Sequence, residues 1–369
     1  MAHAGVGTAA IDSPALVVDL DAMQRNIATL AAYACERRLR LRPHAKTHKS
    51  AWVAAQQVGA GAVGVCVQKT SEAEALAAVG VADIFITNEV IDAAKLARVA
   101  ALAQRCILAI AVDSGLGIER LAAAVRATPC AIGVFVEIDV GQGRCGAAPR
   151  DAGTLARQVL NSGLHFAGLQ AYHGRAQHLR GSAERQAAIA QAATCVRAAQ
   201  AAIAREGLTC PLVTGAGTGS FVNEAASGLW GELQAGSYVF MDRDYADNST
   251  SDGAPAFEHA LFVKSQVISR SQDHAVIDAG HKCHAIDSGL PSVWGRDGLD
   301  FANGGDEHGI LRRRTAAAAL PQLGDTVWLV PGHCDPTVNL HDNLIGVRGG
   351  LDHGVVERLI AVEARGCLS

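Results

Sequence analysis

Residues 62–112 read AVGVCVQKTSEAEALAAVGVADIFITNEVIDAAKLARVAALAQRCILAIAV. Three short apolar runs in this stretch, AVGVCV (62–67), DIFIT (83–87) and CILAIAV (106–112), alternate with two Ala-rich stretches that have the pattern of amphipathic helices. Strands that alternate with helices pair in parallel, because each helix carries the chain back to the same end of the sheet. The stretch therefore indicates an α/β fold.

The same alternation continues on both sides of this stretch, from about residue 39 to residue 240. The further predicted strands are LRLRP (39–43), IGVFVEIDV (132–140), HFAGLQA (165–171), PLVT (211–214) and ELQAGSY (232–238). Eight strands that alternate with helices predict a (β/α)8 TIM barrel. A doubly wound sheet stays open as an alternative, because the last helical stretch, between Ser220 and Trp230, is weak.

After about residue 250 the sequence has strand-like runs without long helices, such as HALFVKSQVISR (259–270) and TVWLVP (326–331). We interpret this part as a second, β-rich domain. The early run ALVVDL (15–20) can pair with its sheet. The assigned division is a barrel over residues 21–245 and a β-rich domain made of residues 1–20 and 246–369.

The composition excludes several classes of protein. The 369 residues are 49% hydrophobic and 18% charged, with a formal net charge of −4. This is too apolar for a disordered chain, and it lacks the basic surplus of a nucleic-acid or membrane-surface protein. We find no apolar run long enough to span a membrane and no signal peptide, so we expect a cytoplasmic enzyme. The ten cysteines form no CxxC pair and are interpreted as packing thiols.

In a (β/α)8 barrel the active site lies at the C-terminal ends of the strands. The sequence holds only six lysines among 32 basic residues, and one of them, Lys46, directly follows the first predicted strand. An amine at this position can form a Schiff base with pyridoxal phosphate. The alternative is a solvated surface lysine in a basic cluster with Arg42, His44, His48 and Lys49.

Glycine-rich segments follow the seventh and eighth predicted strands, GAGTGS (215–220) and Gly236-Ser237. Loops at these two positions of a barrel commonly bind phosphate, because glycine lets an anion approach the backbone N–H groups. Thr214 and Thr218 add hydroxyl donors. A flexible turn is the alternative, but a lysine that faces a phosphate site favours pyridoxal phosphate as the cofactor.

The segment GQGRCG (141–146) matches the dinucleotide-binding pattern G-x-G-x-x-G. It follows the fifth strand of its domain instead of the first, and no acidic residue ends a strand about 20 residues later, which argues against that function. The other interpretation is that Arg144 points into the barrel mouth. An arginine there would hold the phenolic oxygen of a pyridoxal ring.

The segment PGHCDPTVNLHD (331–342) lies in the predicted β-rich domain. His333 and Asp335 are two residues apart, so on a strand their side chains share a face and can begin a divalent-metal site. His341 and Asp342 follow within reach. The alternative is a turn that Asp335 stabilises.

The segment LQAYHGRAQHLR (169–180) contains two histidines just beyond the sixth predicted strand. Either His173 or His178 can act as a general base, because a neutral imidazole near pH 7 can take a proton from a hydroxyl. A loop histidine with a purely structural hydrogen bond is the alternative for each.

Seven segments together carry a family resemblance. They are RPHAKTHK (42–49), VCVQKTSEAEA (65–75), EIDVGQGRCG (137–146), LQAYHGRAQH (169–178), TGAGTGS (214–220), ELQAGSYVFMD (232–242) and PGHCDPTVNLHD (331–342). They resemble the D-threonine aldolase and D-3-hydroxyaspartate aldolase family, which are fold-type III pyridoxal phosphate enzymes with an alanine racemase-like barrel. The resemblance implies a TIM barrel with a β-rich second domain, a head-to-head homodimer, and cleavage of D-3-hydroxy amino acids to glycine and an aldehyde.

The resemblance also implies roles for individual residues. Lys46, and not Lys49, would form the Schiff base, and His178 would be the base that acts on the β-hydroxyl. His333 and Asp335 would bind Mn²⁺, Mg²⁺ or a similar ion. The cofactor-binding residues would be Gln68, Arg144, Tyr172, Thr214, Gly217, Thr218, Gly219, Gln234, Gly236, Ser237 and Tyr238, with Arg144 at the phenolic oxygen and Gln234 at the pyridine nitrogen.

Other activities on the same fold stay open. A D-serine or 3-hydroxyaspartate dehydratase would release ammonia and a keto acid, but related dehydratases carry a cysteine where Asp335 stands, which favours the aldolases. A racemase would need an opposing tyrosine in the second domain, and non-catalytic pyridoxal phosphate-binding proteins lack that domain. Ala216 departs from the family, which usually has glycine there, and we expect it to keep a negative φ.

Overall fold

The computed structural model describes residues 3–250 and 253–369. Within them the first strand is β1 (Ala15–Asp19), and helix α1 (Leu20–Glu36) follows directly. The carboxylate of Asp19 caps α1 by accepting hydrogen bonds from the backbone N–H groups of Asp21 and Ala22, at 3.0 and 3.1 Å. This cap marks the point where the chain turns from β1 into the barrel.

Eight parallel strands form the barrel. In chain order they are β2 (Arg40–Leu41), β3 (Val65–Val67), β4 (Asp83–Glu89), β5 (Ile107–Val112), β6 (Gly133–Glu137), β7 (His165–Ala171), β8 (Val213–Gly215) and β9 (Glu232–Leu233). Neighbours pair in the order β2-β9-β8-β7-β6-β5-β4-β3, and a parallel bridge between His44 and Cys66 joins the two ends of this order. Because the ring closes, the predicted TIM barrel is confirmed and the doubly wound sheet is excluded.

Helices connect the barrel strands and pack on their outer faces. They are α2 (Ala51–Gly59), α3 (Thr70–Ala78), α4 (Ala93–Leu102), α5 (Gly115–Ala127), α6 (Ala152–Asn161), α7 (Ser182–Arg205) and α8 (Phe221–Ser227), and the short α9 (Arg243–Ala246) follows the barrel. The weak helical stretch between Ser220 and Trp230 forms α8, which spans seven residues. Inside the ring the rings of Phe85 and Phe135 pack with their centroids 4.6 Å apart, so the barrel has a filled core and no pore.

The second domain is built on a sheet of nine strands. Its elements after the barrel are β10 (Leu261–Arg270), β11 (His274–Ile277), β12 (Ser292–Val293), β13 (Leu299–Asn303), β14 (Gly309–Arg313), β15 (Thr326–Val330), α10 (Cys334–Val338), β16 (Asn343–Arg348) and β17 (Val355–Ala361). Strand β1 lies inside this sheet, antiparallel to β10 and parallel to β16. The chain therefore contributes to the second domain before and after the barrel, and the exact boundaries at residues 20 and 245 stay a prediction.

All ten cysteines carry free thiols, and several, such as Cys66 and Cys334, are fully buried. This agrees with their interpretation as packing residues. Among the helices formed by the described residues, none is long and apolar enough to cross a membrane.

Candidate active site

A cavity of about 160 Å³ opens at the C-terminal ends of the barrel strands. Nine of the residues predicted to bind the cofactor line it: Lys46, Gln68, Arg144, Tyr172, Gly217, Thr218, Gln234, Gly236 and Ser237. Five lining residues were not predicted: His44, Thr47, Thr87, Gln170 and Tyr245. These nine residues come from six different predicted strands or the loops after them, and they line one cavity.

A larger cavity, of about 1090 Å³, lies at the opposite end of the barrel. Its buried Arg42 donates to Asp83 at 2.6 Å and lies 3.4 Å from Glu232, which also pairs with Arg40 at 3.1 Å. These cations already have carboxylate partners. The barrel rule and the chemistry of the side chains both favour the smaller cavity as the active site.

Lys46 follows β2, and its ammonium lies in the cavity, 2.6 Å from a carboxylate oxygen of Asp335 in the second domain. Removal from bulk water would lower the pKa of Lys46, but the charge of Asp335 outweighs this and raises it to about 12. In return, Lys46 and His333 hold the pKa of Asp335 well below its usual range, although its burial opposes them. The ion pair connects the barrel to the second domain at the site.

Lys49 occupies a different environment from Lys46. Its side chain is buried, forms an ion pair with Glu72 at 2.9 Å, and donates to the backbone carbonyl of Ala364 at 3.3 Å. Glu72 also accepts from the backbone N–H of Gln68 at 2.8 Å. Lys49 is therefore engaged in holding the chain together, and Lys46 is the lysine that faces the cavity.

The glycine-rich loop after β8 turns through two residues with positive φ, Gly215 at 157° and Ala216 at 70°. The expectation of a negative φ for Ala216 was wrong. Alanine can adopt the left-handed region at a cost of about 1–2 kcal/mol, and here the side chain is fully buried in the core, where packing compensates. The loop therefore adopts a left-handed conformation at an alanine, between Gly215 and Gly217.

The residues of this loop face in two directions. Gly217 and Thr218 line the cavity. On its other side Gly217 packs closely against Gln177, since a Cβ at Gly217 would lie 2.4 Å from Oε1 of Gln177. The backbone N–H of Gly219 instead donates to the same Oε1 at 2.9 Å. Of the predicted phosphate-binding residues, Gly219 therefore lies behind the cavity, against Gln177.

Gly236 and Ser237 form the neighbouring wall after β9. A Cβ on Gly236 would lie 2.6 Å from Oγ1 of Thr47, so only glycine lets the two segments approach this closely. Tyr238, which was predicted to bind the cofactor, is fully buried, and its hydroxyl accepts from Nε2 of Gln57 at 3.1 Å. Its side chain therefore packs against α2 and away from the cavity.

Two amides form the floor of the cavity. Nε2 of Gln234 donates to Oε1 of Gln170 at 2.9 Å and to Oγ1 of Thr214 at 2.8 Å. The hydroxyl of Thr214 donates in turn to Glu232 at 2.8 Å. Thr214 thus lies beneath the cavity, where it supports Gln234, and the floor that it supports is neutral.

The loop GQGRCG (141–146) does not have the geometry of a dinucleotide-binding turn. The carboxylate of Asp139 accepts from the backbone N–H groups of Gly141 and Gly143, at 2.9 and 3.1 Å, and the next α-helix begins only at Ala152. A dinucleotide-binding turn would run directly into a helix. The loop instead delivers Arg144 to the cavity, in the position that the sequence predicted.

The two candidate histidines differ in their surroundings. His173 is buried, which lowers its pKa, and its Nδ1 has no partner among the described residues. His178 ends a short 3-10 helix (Gly174–His178), its side chain is 49% exposed, and its Nδ1 lies 2.7 Å from Oδ2 of Asp244. Only His178 combines an open edge with a carboxylate partner, which suits a general base.

The prediction that His333 and Asp335 lie on a strand was wrong. His333 is the N-cap of α10 and Asp335 lies in its first turn, where Pro336 is tolerated because its missing N–H would be unpaired anyway. The turn still brings Nε2 of His333 to 3.8 Å from Oδ1 of Asp335. The pair therefore meets for a reason different from strand alternation.

The donor set at this pair fits an open metal site. Nδ1 of His333 is held by Oδ2 of Asp242 at 2.7 Å, so Nε2 faces Asp335. Burial would lower the pKa of His333, but the carboxylates of Asp335 and Asp242 raise it to about 9. Among the described residues no group of three or more ligating side chains is found, so water and substrate would have to complete the coordination of an ion.

His341 and Asp342, which the sequence placed within reach of this pair, have other partners. Nε2 of His341 lies 2.8 Å from the backbone carbonyl of Cys283, and Asp342 pairs with Arg365 at 2.6 Å. Cys334, which lies between the two residues in the sequence, is fully buried. Only His333 and Asp335 of this segment therefore face the site.

Sequence reasoning missed the segment that follows β9, MDRDYADN (241–248). Asp242 holds His333, Asp244 holds His178, and the ring of Tyr245 lies between these histidines, with centroids 6.1 and 5.9 Å away. The signal in the sequence was the pair of acids, two residues apart, that follows the end of the last barrel strand by nine residues.

Comparisons with known proteins agree with this architecture. Residues 18–244 match the family profile "Alanine racemase, N-terminal domain", and residues 260–347 match that of a serine dehydratase domain. A D-threonine aldolase from Arthrobacter sp. is 44% identical over 99% of this chain and 96% of that protein. A 3-hydroxy-D-aspartate aldolase from Paracoccus denitrificans (strain Pd 1222) is 41% identical over 98% and 94%.

Solved structures extend the likeness to three dimensions. The crystal structure of D-threonine aldolase from Filomicrobium marinum has a TM-score of 0.96 and 46% identity, with both chains fully covered. D-threo-3-hydroxyaspartate dehydratase from Delftia sp. HT23 has a TM-score of 0.85 and 30% identity, over 96% of this chain and 98% of that one.

The closed barrel, its lysine after the first strand and the β-rich second domain define an enzyme of the alanine racemase-like class. Within that class the chain belongs to the family of the alanine racemase N-terminal domain, and over nearly its full length it is similar to a D-threonine aldolase and to a 3-hydroxy-D-aspartate aldolase.

Proposed function

We propose that this protein is a pyridoxal phosphate- and divalent-metal-dependent aldolase that cleaves D-3-hydroxy amino acids into glycine and an aldehyde. The observation that carries the proposal is the contact between Lys46, which lines the cavity of the barrel, and Asp335 of the second domain at 2.6 Å, with His333 3.8 Å from the same carboxylate. An amine and a two-donor oxygen and nitrogen site within a few ångströms suit a reaction that needs both an aldehyde cofactor and a Lewis acid.

The cavity fits pyridoxal phosphate through groups of three kinds. Lys46 supplies the amine, Gly217, Thr218 and Gly236 form a wall of two glycines and a hydroxyl, which suits a phosphate, and Arg144 supplies a cation. When bound, the cofactor supplies an electron sink for the electron pair of the bond that breaks at Cα. The neutral amide of Gln234 suits a pyridine nitrogen that carries no proton.

The metal site would use His333 and Asp335 as its two protein ligands. Both side chains are mostly buried, and a carboxylate with an imidazole suits Mn²⁺ or Mg²⁺ better than a thiolate-rich site would. The chemistry that such an ion supplies is polarisation of the β-hydroxyl of the substrate, which lowers its pKa.

The residues of the chain carry the proton transfers. His178 takes the proton of the β-hydroxyl, so that the oxygen electrons form the carbonyl of the aldehyde while the Cα–Cβ bond breaks. Cα then receives a proton from Lys46, or from a water that Lys46 holds, and glycine results. Arg144 and Tyr172, which line the same cavity, orient the reacting groups.

The relatives support two substrate classes for this chain, D-threonine and 3-hydroxy-D-aspartate. We further propose a homodimer that works in the cytoplasm, as the family resemblance implies. The competing function is a dehydratase, which is supported by a D-threo-3-hydroxyaspartate dehydratase from Delftia sp. (strain HT23), 34% identical over 89% of this chain.

One assay tests the proposal. Purified protein with pyridoxal phosphate and Mn²⁺ is incubated separately with D-threonine and with D-3-hydroxyaspartate, and glycine, aldehyde and ammonia are quantified, with a parallel series in EDTA. We expect glycine and aldehyde in equal amounts, no ammonia, and loss of activity in EDTA. Ammonia without glycine would establish the dehydratase instead, and full activity in EDTA would refute the metal requirement.

A further inference from the structure

Asp244 is a buried carboxylate that contacts the ring of His178 at Nδ1. Its carboxylate is 4% exposed, and both oxygens are engaged: Oδ2 lies 2.7 Å from Nδ1 of His178, and Oδ1 accepts from Nη2 of Arg180 at 2.5 Å. Burial would raise the pKa of Asp244, but the hydrogen bonds from His178 and Arg180 hold it below its usual value. Asp244 is therefore a carboxylate, which can only accept a hydrogen bond.

This contact decides which nitrogen of His178 carries the proton. Because Asp244 accepts, Nδ1 must donate, so the neutral imidazole has its lone pair on Nε2. Among the residues that the structure describes, Nε2 of His178 makes no hydrogen bond, and the side chain is half exposed. The nitrogen that can accept a proton is thus free and points away from Asp244.

The backbone fixes Asp244 from a second direction. The N–H of Asp244 donates to the carbonyl of Gly332, and that of Arg243 donates to the carbonyl of Pro331, both at 3.1 Å. Gly332 directly precedes His333, so the segment that holds His178 is bonded to the segment that carries the proposed metal ligands. The position of the base is in this way set relative to the second domain.

We propose that Asp244 is a positioning residue for the cleavage step, which holds His178 in the tautomer that accepts the substrate proton at Nε2. This inference rests on the proposed function. As the O–H bond of the β-hydroxyl breaks, an N–H bond forms at Nε2, and the positive charge on the imidazole is stabilised by the Asp244 carboxylate. The proton then passes from His178 to solvent, to which its half-exposed side chain is open.

The competing explanation is that Asp244 only connects α9 to the loop after β7. In that case its loss would lower stability and leave the turnover of each folded molecule unchanged. The carboxylate would then contribute to the fold in the way that other buried ion pairs do.

Asp244→Asn separates the two explanations. The amide can donate to Nδ1, which would leave the proton on Nε2, so we expect kcat for glycine formation to fall by about 10²–10⁴-fold with KM changed by less than about threefold. Asp244→Glu, which keeps the carboxylate, should recover part of the loss. Asp247→Asn, an exposed acid in the same segment, is the matched control and should behave as the wild type.

A second measurement reports the tautomer of His178 directly and does not depend on activity. Histidine is labelled with ¹⁵N, and the His178 signals are identified by their loss in His178→Gln. We expect a proton on Nδ1 and none on Nε2 in the neutral ring, and the reverse in Asp244→Asn.

The outcomes separate this inference from the proposed function. A proton on Nε2 in the neutral wild type, or a kcat of Asp244→Asn within threefold of the wild type, would overturn the role of Asp244. A wild type that releases no glycine from any D-3-hydroxy amino acid, with the expected tautomer intact, would overturn the proposed function alone.

Discussion

The two halves of the site are built differently. The barrel half consists of strand ends with glycines, hydroxyls and amides, such as Gly217, Thr218 and Gln234, and it carries few charges. The second-domain half consists of His333 and Asp335 at the start of a five-residue helix, where Asp242 and Lys46 hold them. The barrel half suits a cofactor that stays bound. The second-domain half suits proton and metal chemistry on a substrate that binds and is released.

The largest effect is expected from a substitution in the barrel half. Lys46→Ala removes the amine that would hold the cofactor, so we expect glycine formation to fall by at least about 10⁴-fold, together with the visible absorbance of bound pyridoxal phosphate. Lys282→Ala, at an exposed position, is the control and should keep both. Retention of the absorbance in Lys46→Ala would refute the assignment.

Asp335→Ala breaks the second-domain half and leaves the cradle of the cofactor in place. We expect kcat to fall by about 10²–10³-fold and the stimulation by Mn²⁺ to disappear, while the cofactor absorbance remains. Asp273→Ala, at an exposed site of the same domain, is the matched control. Loss of the cofactor absorbance in Asp335→Ala would show that cofactor binding also depends on the second-domain half, which contradicts the separate roles of the two halves.

Glu224 provides a pH test beneath the barrel half. It is fully buried, accepts from Ser220 at 2.7 Å, and has no partner for its other oxygen among the described residues, and burial raises its pKa to about 7. The folded protein thus keeps a proton that the unfolded chain releases, so stability falls as the pH rises from about 4.5 to 7.

Glu224→Gln should remove this dependence. Between pH 5 and pH 8 we expect the wild type to lose about 2–3 kcal/mol more of its free energy of unfolding than the variant, measured by chemical denaturation. Exposed Glu119→Gln is the control and should follow the wild type. Equal slopes for Glu224→Gln and the wild type would mean that Glu224 is ionised in the folded protein.

Gly236→Ala tests how tightly the barrel half is built. The new Cβ would lie 2.6 Å from Thr47 Oγ1 and 2.9 Å from the carbonyl of His44, so the wall must move and cofactor affinity should fall about tenfold. Gly59→Ala, where no atom lies within 4 Å of the new Cβ, should bind the cofactor as the wild type does. Equal affinities in a cofactor titration would show that the wall is adaptable.

The smallest effect is expected at Ala216, whose φ is 70°. Ala216→Gly relieves the backbone strain but gives the unfolded chain more freedom, so the free energy of unfolding should change by less than about 1 kcal/mol. Thermal unfolding with and without cofactor checks this. A larger loss would show that the buried methyl group matters more than the backbone.

The alternation of strands and helices predicted the barrel, and the rule that chemistry lies at strand ends located Lys46 and Arg144. Both depend on local periodicity, which a sequence displays directly. Asp242 and Asp244 were missed because they act through His333 and His178, which are distant in the chain and adjacent only after folding. A carboxylate two residues from another looks the same in sequence whether it faces solvent or a histidine.

The metal pair shows a different limit. The sequence predicted that alternation along a strand places His333 and Asp335 side by side. In the structure the first turn of α10 places them there. The sequence Asp335-Pro336 is typical of the first turn of a helix, where an acid and a proline are both favourable, and it could have corrected the interpretation.

The place of β1 in the second sheet has a consequence for synthesis. This strand is synthesised before the barrel, whereas its neighbours β10 and β16 are synthesised after it. During synthesis the ring of eight strands can therefore form before β10 and β16 are made. Until then β1 is apolar and unpaired. Fusion or truncation that delays β16 should expose that strand and promote aggregation before any effect on the barrel is seen.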